Sequence, residues 1–233
     1  MWVKICGTTN LEDAQIAVEA GADALGFVFA ESLRQVTAEQ AGAIVARLGQ
    51  SVEKVGVFVD GDIDGIVSTV LTAGLTGVQI HGPVYRGLAE RLRERFAEGA
   101  SGAERLKILQ VLHFGAGEDA LDERLNELRQ RGAVDAVLVD SRTAQARGGT
   151  GVRYDWGAAR RSFVEAAAQL RMVVAGGLSP ENVREAIETL RPWGVDVVSG
   201  VEAGPGRKDA AKVRRFVEHA RAAALHAGWT GEV

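Results

Sequence analysis

The chain has 233 residues, 46% hydrophobic and 25% charged, an ordinary globular composition long enough for a full core. The net charge of −4 argues against a nucleic-acid binder, which needs clustered Lys and Arg. A single cysteine, Cys6, excludes an intrachain disulfide and a four-cysteine zinc site. No run approaches about 18 apolar residues, and Met1 to Gly7 lacks the basic-then-apolar pattern of a signal peptide. The expectation is a cytoplasmic protein with no membrane partner.

Short apolar runs alternate with amphipathic stretches along the chain. Val3 to Cys6 reads as a strand, and Asn10 caps a helix through about Ala20, with Glu12 and Asp13 in its first turn. Ala24 to Phe29 is the second strand, and Thr37 caps the helix after it. Lys54 to Val59 is the third, with a helix from about Asp62 to Ala73. Gly77 to Ile80 is the fourth, with a helix from about Val84 to Ala97. After a polar loop, Gly99 to Gly102, come a fifth strand, Leu106 to Leu112, and a helix from Glu118 to Gln130. Val134 to Val139 is the sixth strand. A Gly-rich loop, Ala146 to Gly151, leads into a helix from Trp156 to Leu170. Met172 to Ala175 is the seventh, and Pro180 opens a helix to Leu190. Val195 to Val198 is the eighth, before a last helix from Asp209 to Leu225 and a loose tail from about Gly228.

Eight strand–helix units in series predict a parallel sheet. An open doubly wound sheet is the alternative, but no switch point breaks the series. Closure gives one α/β domain over residues 1–233, a (β/α)8 TIM barrel. Parity then orients the strands. Val3 and Ile5 face the helices, so Lys4 and Cys6 point inward. Val78 and Ile80 face out, so Gln79 and His81 point inward. Asp196 points inward between Val195 and Val197. A purely structural barrel would fill those positions with Val, Ile or Leu.

Active sites of such barrels lie at the C-terminal ends of the strands, where Cys6, Asp60, His81, Asp140 and Ser199 fall. Cys6 is either an inert buried thiol or a reactive one, its thiolate favoured by Lys4 two residues earlier, roughly 7 Å along the strand. Asp140 either caps its loop or is a general acid, since an apolar neighbourhood lets a carboxyl hold a proton near neutral pH. Lys4 and Asp196 sit on neighbouring strands and should meet inside the barrel, as a structural ion pair or as part of the site. His81 is either a packed or hydrogen-bonded histidine or a catalytic one, and Gln79 beside it is open between a structural and a functional role; Asp60 is expected to cap the third βα loop. The Gly-rich pieces around Gly149 and Gly151, at Gly176 and Gly177, and at Ser199 and Gly200 follow strands six to eight. Bare backbone N–H groups there suit a phosphate. No His, Cys, Asp and Glu grouping has metal-ligand spacing along the chain, so no metal is expected.

These motifs resemble phosphoribosylanthranilate isomerases of tryptophan biosynthesis almost end to end. The resemblance rests on Lys4-Ile5-Cys6-Gly7 with Asn10, Gly26-Phe27-Val28-Phe29, Gly56-Val57-Phe58-Val59 and Val78-Gln79-Ile80-His81-Gly82. It continues through Val139-Asp140-Ser141, Gly148-Gly149-Thr150-Gly151 with Asp155-Trp156, Ala175-Gly176-Gly177-Leu178 and Asn182-Val183. It ends with the run Gly194 to Glu202, Pro205-Gly206 and Lys208-Asp209. The resemblance implies an Amadori rearrangement of N-(5′-phosphoribosyl)anthranilate without a cofactor; a monomer or homodimer is expected. It implies Asp140 as general acid, Cys6 as general base, Arg34 on the anthranilate carboxylate and the Gly-rich loops on the phosphate. Two departures stand out: Leu33 where the family usually has proline, and Pro83-Val84 where it usually has acidic residues. The nearest rival is the aminoimidazole carboxamide ribotide isomerase of histidine biosynthesis, which the cysteine disfavours. A catalytically silent phosphate-binding barrel is another.

Overall fold

The structure, a computed structural model, describes residues 1–82, 87–96, 105–114, 118–140 and 155–228. Strands and helices alternate as β1 (Trp2–Cys6), α1 (Leu11–Glu19), β2 (Ala24–Val28), α2 (Ala38–Val45), β3 (Glu53–Phe58), α3 (Ile63–Ala73), β4 (Gly77–Ile80) and α4 (Leu88–Arg95). They continue as β5 (Lys107–His113), α5 (Glu118–Arg131), β6 (Ala136–Asp140), α6 (Trp156–Ala167), β7 (Arg171–Val174), α7 (Val183–Leu190) and β8 (Gly194–Val197). A short hairpin, β9 (Glu202–Gly204) and β10 (Arg207–Lys208), precedes α8 (Ala210–His226). Strands β1 to β8 close into a barrel in sequence order, every pair parallel, with β8 beside β1.

Two apolar layers make this closure favourable. Outward residues such as Val3, Ile5, Val78, Ile80, Val195 and Val197 join the layer between strands and helices. Trp2, Ala24, Val55, Leu109, Leu138 and Val173 fill the interior. Each large aliphatic side chain that leaves water completely contributes about 1.5–3 kcal/mol. The floor is plugged by Trp2 stacked on Trp193, centroids 5.2 Å apart, with the Arg171 guanidinium over the Trp193 ring. The predicted parity holds: Lys4, Gln79 and Asp196 are buried polar side chains, alternating with outer-layer neighbours.

Helix starts follow the capping chemistry in the sequence. The Asn10 side chain accepts from Asp13 N. Thr37 and Gln40 form a capping box, and Asp155 and Asp209 cap α6 and α8. Four expectations shift. Helix α4 starts at Leu88, because Gly87 has φ 75°, a left-handed conformation that no right-handed helix continues through. Helix α7 starts at Val183, not at Pro180. The Asn182 side chain accepts from Ser179 N and donates to Gly177 O, both at 2.9 Å, tying up a turn in place of the first helical one. Strand β6 begins at Ala136, two residues late, and takes in Asp140. Asp60 is exposed, and the N-cap of α3 is Asp62, without a side-chain cap bond. The predicted loops 99–102 and 146–151 and the tail beyond Gly228 lie outside the described residues.

Candidate active site

The C-terminal rim of the barrel carries three clusters. The first lies at the seam of β1 and β8. Lys4 is paired in register with Asp196, and its Nζ donates to Asp196 Oδ1 at 2.8 Å. The lysine side chain is fully buried. Burial alone would lower its pKa, but the charges of Asp196 and Cys6 overcome that and hold it above 10.5. Cys6 lies at the end of β1, opposite Gly26. A Cβ on Gly26 would come within 2.4 Å of Cys6 Sγ and 3.0 Å of Lys4 Nζ. Thiol and ammonium therefore share the space that glycine leaves open. The ammonium comes closer to the thiol than the strand spacing suggests.

That proximity does not make Cys6 a ready thiolate. Burial pushes the thiol above its ordinary 9.0, and the pull of Lys4 offsets only part of this. Position along a strand gives distance to a charge but not depth below the surface, and depth wins here. Iodoacetamide should therefore label Cys6 far more slowly at neutral pH than it labels the urea-unfolded chain, and the rate should keep rising beyond pH 9.0. Mass spectrometry of the labelled cysteine reads the rate. Equal labelling of folded and unfolded chains at neutral pH would contradict the assignment.

The second cluster joins three neighbouring strands. Asp140 ends β6 and is 9% exposed. His113 ends β5 and is its register partner, and His81 follows β4 directly. The two imidazole rings lie 5.3 Å apart, and one ligand atom from each of His81, His113 and Asp140 falls within 4.8 Å of the others. Spacing along the chain hid this grouping because its members are 32 and 27 residues apart in sequence. His113 was not singled out from sequence; the inward parity of Leu109 and Val111 would have pointed to it. Gln110, on the outer face of β5, donates to Ile80 O at 3.2 Å and Gly82 O at 3.4 Å, fixing the backbone on both sides of His81. Gln79 lies below His81, its Oε1 buried with no hydrogen-bond partner among the described residues.

The third cluster is built by the β9–β10 hairpin, which the sequence reading missed although the Pro205-Gly206 turn signal was present. Arg34 donates from Nε and Nη2 to the two carboxylate oxygens of Glu202, at 2.8 and 2.6 Å. These bonds hold the Arg34 pKa above its ordinary value. Burial would raise the Glu202 carboxyl, but Arg34 and Lys208 overcome this and hold it low. Lys208 Nζ donates to Cys6 O at 2.6 Å and to Glu202 Oε1 at 3.2 Å; burial lowers its pKa despite that partner. The departure at Leu33 leaves an exposed side chain, and the turn is held instead by Ser32, whose hydroxyl accepts from Arg34 N at 3.1 Å. The departure at Pro83-Val84 lies outside the described residues.

The glycine loops are placed in part. Gly176 and Gly177, after β7, have φ of 81° and 64°. Ser199 and Gly200 open a 3-10 turn, Ser199–Val201, after β8. A Cβ on Gly200 would stand 1.9 Å from Leu178 O, so only glycine lets the loops after β7 and β8 touch. Gly149 and Gly151 lie outside the described residues.

A closed parallel barrel with a thiol, a carboxylate and glycine-rich loops at the C-terminal strand ends has the build of a (β/α)8-barrel enzyme. The family model described as N-(5′-phosphoribosyl)anthranilate (PRA) isomerase matches residues 3–219. The chain belongs to that family, whose members are isomerases. It is 45% identical over 223 residues to N-(5′-phosphoribosyl)anthranilate isomerase of Geobacter sp. (strain M21), covering 94% of this chain and 97% of that one. The crystal structure of the Thermotoga maritima enzyme is 36% identical, with a TM-score of 0.81 over 95% of this chain and 99% of that one. A further isomerase structure, in complex with reduced 1-(o-carboxyphenylamino)-1-deoxyribulose 5-phosphate, is 35% identical with a TM-score of 0.78, at the same coverage.

Proposed function

We propose that this chain, as one barrel domain, converts N-(5′-phosphoribosyl)anthranilate to 1-(2-carboxyphenylamino)-1-deoxyribulose 5-phosphate, with Asp140 as general acid and Cys6 as general base. The observation that carries this reading is the placement of both groups on inward-facing positions at the C-terminal ends of β1 and β6, with only β7 and β8 between them around one barrel. Asp140 gives its proton to the furanose ring oxygen. The C1′–O bond breaks as the aniline nitrogen forms the Schiff base. Cys6, in the small fraction that has released its thiol proton to solvent, takes the C2′ proton, and the electrons of that C–H bond form the enol-amine, which tautomerises to the ketone. Lys4 sits where it stabilises the thiolate at that moment. Acid and base placed this way each contribute roughly 10²–10⁴-fold.

Arg34 binds the anthranilate carboxylate. Its Nε–Nη2 edge is taken by Glu202, and the guanidinium has a second edge for another carboxylate. The buried Gln79 Oε1 is an acceptor for a substrate donor, and His81 and Asp196 line the same mouth. Glycines 149, 151, 176, 177 and 200, with Ser199, hold the phosphate through backbone N–H groups. The protein works in the cytoplasm as a monomer or homodimer; the Thermotoga maritima relative is dimeric. No helix among the described residues is long and apolar enough to cross a membrane.

Loss of phosphoribosylanthranilate fluorescence on adding purified protein tests the activity directly, and an unchanged signal would refute it. Arg34→Ala should raise KM for the full substrate about 10- to 100-fold, the worth of one charged hydrogen-bonded contact. Binding of inorganic phosphate should not change. Equal weakening of both, read by calorimetry, would take the carboxylate contact away from Arg34.

A further inference from the structure

We propose that His81, His113 and Asp140 form a binding site for a divalent transition-metal ion of the zinc type, seated on the rim of the barrel where it silences the enzyme reversibly. Two imidazoles and one carboxylate are the ligand set that suits zinc and its neighbours, and three protein ligands leave a coordination position for water. The three come from the ends of consecutive strands β4, β5 and β6, a frame more rigid than a loop. Asp140 and His113 are register partners. The backbone at His81 is fixed by its own N–H on Phe58 O at 2.7 Å and by the Gln110 amide. Ligands about 2.1 Å from one ion stand about 3.4 Å apart in a tetrahedron. The three ligand atoms lie within 4.8 Å of one another, so small χ rotations close the cage without moving the strands. Solvent reaches His113 at the strand end, which gives the ion a path in.

The chemical consequence rests on the reading of Asp140 as the acid. A metal bound to its carboxylate draws electron density from both oxygens and keeps the group ionised, so the loaded enzyme has no proton there to open the furanose ring. Metal binding itself does not depend on that reading.

The test uses the full-length protein, stripped with EDTA. Cobalt(II) stands in for zinc because it reports its ligands by visible absorption, and zinc binding is measured by calorimetry. The wild type should take up one equivalent of either ion. Loss of a mere outer-shell partner costs about 10–100-fold in metal affinity; His113→Ala should weaken binding by at least about 100-fold. His113→Gln, which keeps a polar side chain at this exposed position, should do the same if the alanine variant is unstable. Cys6→Ala should bind as tightly as the wild type. Absence of stoichiometric binding, binding that ignores His113, or binding lost in Cys6→Ala would each overturn the site. In the activity arm, zinc should stop isomerisation of the wild type and EDTA should restore it, while whatever turnover His113→Ala shows without metal should be unchanged by the same zinc concentration. Ion uptake that needs His113 yet leaves wild-type turnover intact would uphold the metal site and count against Asp140 as the acid. The two readings therefore fail separately.

Discussion

Cys6→Ala and Asp140→Asn each lower kcat by roughly 10²–10⁴-fold, the usual worth of a positioned proton donor or acceptor, while binding of a phosphorylated product analogue survives. Both changes are small. Asn has nearly the shape of Asp but no acidic proton to give. Ala leaves out only the sulfur of a side chain that is 4% exposed, so the cavity it opens beside Gly26 is only about one atom in size. Stability should therefore change little, and the loss should appear in kcat more than in KM, because the missing interaction is made in the transition state. Cys6→Ser is the sharper control. Its hydroxyl fills the space but is a far weaker base, so activity should not return. The double variant should be only slightly worse than either single one, because acid and base act on one reaction path. Steady-state kinetics by fluorescence loss, with calorimetry for the analogue, reads all of this. Either single variant at wild-type kcat would remove that residue from the chemistry.

The barrel and its parity were legible because they depend on period-2 patterning within each strand. Val3 and Ile5 announce the outer face, and that alone turns Lys4 and Cys6 inward. The meeting of Lys4 with Asp196 followed from closing β8 onto β1. Other features were not local and stayed hidden. Arg34 finds Glu202 across 168 residues, and Glu202 is there only because a hairpin interrupts the last βα connection. His113 joins Asp140 and His81 through strand register, which no single strand records. The thiol's raised pKa is a matter of depth: Lys4 lies close to it in the chain, yet burial outweighs the neighbouring charge.

Asp196→Ala should destabilise the protein by about 3–5 kcal/mol, the cost of leaving a buried charge without its partner. Lys4 has no exposed side-chain surface, so it must lose its proton or open the β1–β8 seam. Urea unfolding followed by circular dichroism measures this, with the denaturant slope checked for two-state behaviour. The pH dependence separates the variants further. In the wild type the folded-state pKa values of Lys4 and Cys6 lie above their ordinary 10.5 and 9.0. A group with a raised folded pKa binds its proton more tightly when folded. Its stability contribution is fully present below the ordinary value and is lost as pH rises through the folded one. Wild-type stability should therefore fall as pH climbs past about 9.0. In Asp196→Ala the Lys4 share of that fall should vanish, since Asp196 is the main charge raising its pKa against burial. The double variant Lys4→Met with Asp196→Leu removes both charges and should regain most of the lost stability, because apolar pairs often replace buried ion pairs at no net cost. Its kcat should stay low. Methionine cannot stabilise a thiolate in the pocket that Gly26 leaves open, so the buried thiol would be even harder to ionise. Stability restored without turnover would mean that the pair is kept for the thiol rather than for the fold; turnover restored along with stability would reduce it to scaffolding and leave Cys6 without its electrostatic partner.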